Sequence, residues 1–96
     1  MSQITLISPQ ERPLQPMIEA ALQNELRLLE AGLHRTDMRV RHFETQYGMS
    51  TSEFLRKYQN DEVEETLEFV EWVGEFRMRE RLQEKIKTLR EIRFAN

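Results

Sequence analysis

The three prolines of this chain stand at positions 9, 13 and 16, and residues 17–96 contain none. A proline has no N–H to donate and its ring clashes with the preceding turn, so a helix interior excludes it. That distribution divides the chain before any other signal is read. Residues 1–13 cannot lie inside one continuous helix, whereas nothing stops residues 14–96 from being helical almost throughout. Hydrophobic residues are 39% of the chain and charged residues 32%, with three glycines, which suits an ordered helical chain better than a disordered one.

The short run Ile4-Thr5-Leu6-Ile7 is β-prone, so residues 1–13 are expected as an extended N-terminal segment. From Leu14 the pattern is helical. At about 100° per residue, Leu14, Ile18, Leu22, Leu29, Leu33, Val40, Phe43 and Tyr47 share one stripe, with Leu26 at its edge. The stripe stops at Gly48, a residue suited to closing a helix. Ser50-Thr51-Ser52-Glu53 then has the form of a capping box, which predicts a short helix through Phe54, Leu55 and Tyr58. Asp61 with Glu64 repeats that signal, predicting a second long helix over roughly Asp61 to Phe94 that matches the first in length. The expected fold is therefore all-α: an antiparallel hairpin of two long helices joined by a short one.

On the second long helix, Val63, Leu67, Val70, Met78, Leu82, Ile86, Leu89 and Ile92 form a slowly drifting stripe that is expected to pack on the first. Gly74 lies in this stripe and Gly32 at the edge of the other. Each is read either as a site of close backbone approach or as simply tolerated. Phe69, Trp72, Val73 and Phe76 project from a different side of the helix. One antiparallel neighbour cannot cover both sides, so the aromatic side needs the short helix, a second copy or a foreign protein over it. Aromatic clusters of this kind are enriched at interface hot spots. The four residues are accordingly taken as a partner-binding face, and an oligomer is expected.

Charge is segregated along the same helix. Asp61, Glu62, Glu64, Glu65, Glu68, Glu71 and Glu75 stand without a base among them. From Phe76 onward Arg77, Arg79, Arg81, Lys85, Lys87, Arg90 and Arg93 outnumber Glu80, Glu84 and Glu91. This order complements the helix dipole and also suits selection of a partner and its orientation. An antiparallel self-dimer would set acidic against basic halves.

Little points to catalysis. There is no cysteine, so thiolate chemistry and disulfides are excluded. His34 and His42 stand two helical turns apart, not at the i, i+3 or i, i+4 spacing of a helical metal site, and no Gly-rich phosphate loop or nucleophile motif occurs. No catalytic residue, metal or cofactor is expected. A net charge of −3 and the lack of exposed aromatics beside Arg35, Arg39 and Arg41 argue against nucleic-acid binding. No apolar run reaches the roughly 20 residues of a membrane span, and Met1 to Ser8 lacks the basic head of a signal peptide. A cytoplasmic protein is expected.

His42 to Ile86 as a unit resembles the small helical antitoxins encoded beside TumE-type toxins in toxin–antitoxin pairs. The residues carrying the resemblance are Phe43, Glu44, Tyr47, Gly48, Met49, Ser50, Glu53 and Phe54, followed by the acidic stretch Asp61 to Glu71 and then Trp72. The match covers about half the chain, and residues before it carry nothing over. The resemblance implies a non-enzymatic protein that binds and neutralises a cognate toxin, with Phe69, Trp72, Val73 and Phe76 docking the toxin or a second protomer. The alternative is a homo-oligomeric helical scaffold or adaptor without a toxin.

Overall fold

The computed structural model describes residues 3–4 and 14–94. Three helices follow in order: α1 (Leu14–Tyr47), α2 (Thr51–Gln59) and α3 (Leu67–Arg90). Two short strands flank them, β1 (Gln3–Ile4) and β2 (Arg93–Phe94), paired in parallel with Gln3 opposite Arg93 and Ile4 opposite Phe94. Of the expected N-terminal segment, Gln3 and Ile4 are extended; Thr5, Leu6 and Ile7 lie outside the described residues. The body is elongated, 61 × 21 × 18 Å.

α1 starts and stops where its sequence predicts. Pro16 falls in the first turn, where backbone N–H groups have no partner within the helix. At the other end Gly48 takes φ +63° and the Met49 N–H returns to the Glu44 carbonyl at 3.2 Å, closing the last turn. Every member of the predicted α1 stripe is buried or half-buried. α2 is capped as expected, with the Ser50 hydroxyl accepting from the Glu53 N–H at 3.1 Å.

α3 departs from expectation in two ways. It spans 24 residues against the 34 of α1, so the two long helices are unequal. Asp61 does not open α3; it closes α2. With φ +55° it sits in the left-handed region, and the Glu62 N–H reaches the Lys57 carbonyl at 2.8 Å. That paired closure is a Schellman arrangement, with aspartate where glycine is usual. The helix begins six residues later, where the Thr66 hydroxyl accepts from the Phe69 N–H at 3.2 Å.

The second correction concerns which side of α3 faces inward. Leu67, Val70 and Met78, predicted to pack on α1, are exposed, whereas Trp72 and Val73 on the other side are buried. Further along, Leu82, Ile86 and Leu89 do turn toward α1. The inward side thus rotates around α3 along its length. The reason is α2: at one end α3 packs between two helices, and past that end against α1 alone.

The molecule consequently has a head and a stalk. In the head, Phe43, Phe54, Trp72 and Val73 form a core, with Tyr47, Met49, Leu55, Tyr58, Val63 and Phe69 packed around it. In the stalk, two antiparallel helices share a thin seam in which Ile86 is the buried hydrophobic residue of α3. Arg39 bridges to Glu75 at 3.0 Å and Asp37 to Arg79 at 3.1 Å, and Glu30 pairs with Arg90. These pairs run down the hairpin in antiparallel order. Exposed pairs contribute only about 0–1 kcal/mol each, so they fix register more than they stabilise.

Candidate protein-binding site

The head is organised around Trp72, which has no accessible surface. Its ring lies parallel to Phe54 of α2, with centroids 3.9 Å apart and planes 1° from parallel. Phe43 of α1 stacks on it at 5.5 Å and Tyr47 at 5.8 Å. Rings from all three helices thus meet on one indole. Each buried aromatic contributes on the order of 1.5–3 kcal/mol by removal from water. Stacked geometry adds about 0.5–1.5 kcal/mol per pair.

The indole N–H is satisfied inside this core. It donates to the Thr51 hydroxyl oxygen at 3.0 Å. The Thr51 hydroxyl and backbone N–H in turn donate to one oxygen of the Glu44 carboxylate, at 2.9 and 2.8 Å. Thr51 is the first residue of α2, so Glu44 also places a negative charge at the start of that helix, where it is favoured. No buried side-chain polar atom among the described residues lacks a partner.

This arrangement revises the predicted binding face. Trp72 and Val73, 7% exposed, are core residues covered by α1 and α2 of their own chain, so they are not open to a partner. Phe69 and Phe76 are half-buried. Phe69 meets Tyr47 edge-on at 5.0 Å and Phe54 at 5.2 Å. Phe76 carries the Arg79 guanidinium over its ring at 5.3 Å. The short helix, one of the three covers the sequence left open, is what lies over the aromatic side.

Open surface occurs elsewhere. A groove of about 450 Å³ runs between α1 and α3 on the head, rimmed by Met38, Arg39, His42 and Gln46 of α1 and by Glu68 and Glu71 of α3, with Phe43 in its lining. Met38 is 56% exposed. Because Phe43 also stacks on Trp72, the aromatic core supports this groove from below. Glu68 and Glu71 line it on the α3 side, and Glu68 accepts from the Tyr47 hydroxyl and from Gln46 at 3.2 Å. Away from the groove, the Tyr58 hydroxyl donates to Glu65 at 3.1 Å. Glu68 raises the Tyr47 pKa, chiefly through that hydrogen bond, while burial and then Glu65 raise that of Tyr58. Below the head, burial pushes the Asp37 carboxyl upward, but hydrogen bonds and charge from Arg79 and Arg41 outweigh it and hold the pKa below the ordinary carboxylate value.

His34 and His42 are both exposed. Among the described residues no group of three or more histidines and carboxylates could hold one metal ion. No described helix is long and apolar enough to cross a membrane. Sequence reasoning missed Thr51, Glu44 and Met38. Thr51 reads as part of a capping box and Glu44 as one of the residues that carry the resemblance, and nothing in their spacing marks the buried relay. No protein-family model, curated protein or solved structure matches this chain.

Proposed function

We propose that this chain is a non-enzymatic protein-binding module, antitoxin-like, that neutralises a cognate toxin docked on the head groove between α1 and α3. The observation that carries the reading is the exposed Met38 beside an open groove lined by Phe43. An exposed, adaptable apolar side chain beside the α3 carboxylates Glu68 and Glu71 suits a partner with an apolar projection flanked by basic groups. The acidic run from Asp61 to Glu75 fits a toxin whose working surface is basic. The resemblance of His42 to Ile86 to TumE-associated antitoxins supplies the kind of partner. In this reading Trp72 and Val73 act from beneath, holding Phe43 in place, rather than touching the toxin.

The test is a tagged pull-down from the native host with mass spectrometry, run with the unmodified chain and with Met38→Glu. A stoichiometric small partner encoded beside this gene, lost on Met38→Glu with far-UV circular dichroism unchanged, is the expected result. Capture that survives Met38→Glu removes the groove as the docking site. No stoichiometric partner at all sinks the antitoxin reading.

A further inference from the structure

α3 carries a second stripe that no described element of the chain covers. Leu67, Glu71, Gly74, Met78, Arg81 and Lys85 follow at alternating spacings of four and three residues, which sets them along one side of the helix. All six are exposed. Leu67 is 75% and Met78 42% accessible, large values for apolar side chains on a helix whose other side buries Trp72 and Val73. At Gly74 a Cβ would meet nothing within 4 Å.

The charges on this stripe are also unused. Glu71, Arg81 and Lys85 enter no ion pair among the described residues, whereas Glu75 and Arg79 beside them are paired with α1. Their order matters: the acid precedes Met78 and the bases follow it. A parallel copy would set like charge on like, and an antiparallel copy sets acid on base at both ends of the contact. The stripe is therefore complementary to itself under a two-fold axis, which is the symmetry of a closed isologous dimer.

We infer that this stripe is the seam on which a second copy of the chain docks antiparallel, with the two-fold axis crossing α3 near Met78. Glu71 of each copy then comes within reach of Arg81 and Lys85 of the other. The Met78 side chains pack beside the flat surface at Gly74. Leu67 of each copy lies over the groove of about 540 Å³ that Leu29, Lys85 and Leu89 line between α1 and α3 of the other. This surface runs from the start of α3 into the stalk and, among its six residues, shares Glu71 with the lining of the proposed toxin groove on the head.

The chain has no cysteine, so single introduced thiols report the geometry cleanly. Met78→Cys should oxidise readily to a disulfide dimer, and Gln83→Cys, exposed on another side of α3, should not. The solution mass of the purified unmodified chain should be twice the monomer mass of 11.6 kDa, falling toward one as salt rises. Arg81→Glu with Lys85→Glu should give a monomer of unchanged helicity, and adding Glu71→Lys to those two should restore the dimer. An unmodified chain that is monomeric at low salt overturns the inference. Equal cross-linking at 78 and 83, or a triple variant that stays monomeric, overturns it too. These readouts use the chain alone, so they stand or fall separately from toxin capture.

Discussion

The indole N–H of Trp72 and the hydroxyl of Thr51 lie 3.0 Å apart in a core that water does not reach. That one contact ties α3 to the first residue of α2, and Glu44 ties the same residue to α1. Thr51→Val keeps the shape of the side chain but strands the indole N–H and removes a donor to Glu44. A buried donor without a partner costs about 1–3 kcal/mol. We expect that loss in urea denaturation followed by circular dichroism, with Thr51→Ser recovering most of it. Trp72→Ala should cost more, about 3–5 kcal/mol, through the cavity it opens.

The two turns that flank α2 make opposite predictions. Gly48 and Asp61 both hold positive φ, +63° and +55°. A Cβ at position 48 meets nothing within 4 Å, so Gly48→Ala carries only the conformational penalty of the left-handed region, about 1–2 kcal/mol. Asp61 already bears that penalty, so Asp61→Gly should be neutral or stabilising. Thermal midpoints of the two variants, measured side by side, should move in opposite directions or leave Asp61→Gly unmoved. A drop for Asp61→Gly as large as that for Gly48→Ala would show that the aspartate side chain has a role of its own.

These turns also explain what could be read from the sequence. α1 was legible because its apolar stripe is uninterrupted and its stop is a glycine. α2 was legible because its cap has a recognisable spacing. α3 misled because Asp61 and Glu64 have the spacing of a cap, while a left-handed aspartate closing the previous helix looks the same on paper. Its inward side misled for a different reason. A helical wheel assumes one neighbour, and the presence of α2 at one end rotates the buried side from the Leu67–Val70–Met78 stripe to Trp72 and Val73. Trp72 and Val73, which read as interface, are therefore core, and Leu67, Val70 and Met78, which read as core, are surface.

Stability should decline at both the acid and the alkaline extreme. The Asp37 pKa is held down in the folded state, so its contribution is present above the ordinary carboxylate value and is lost as pH falls through the lowered one. Tyr47 and Tyr58 are shifted upward, so their contribution is present below the ordinary phenol value and is lost as pH rises through the raised one. Asp37→Asn should flatten the acid limb, and Tyr47→Phe the alkaline limb. Urea midpoints measured across pH check both, and an alkaline limb unchanged in Tyr47→Phe would remove Glu68 as its cause.

The helical glycines offer a last pair of opposed readouts. Neither is required by close packing: at Gly32 a Cβ would sit 3.7 Å from the Leu82 Cδ1, an ordinary contact, and at Gly74 it would touch nothing. Alanine in a helix interior is favoured over glycine by about 0.5–1 kcal/mol. Both Gly32→Ala and Gly74→Ala should therefore raise the thermal midpoint of the dilute chain. Their effects on self-association should differ, because Gly74 lies on the inferred seam and Gly32 does not. An added methyl at 74 holds the second helix further off, so the solution mass of Gly74→Ala should fall toward the monomer even as its fold becomes more stable. Stability rising without any change in mass at position 74 would mean that the two copies, if they pair, do so on another face.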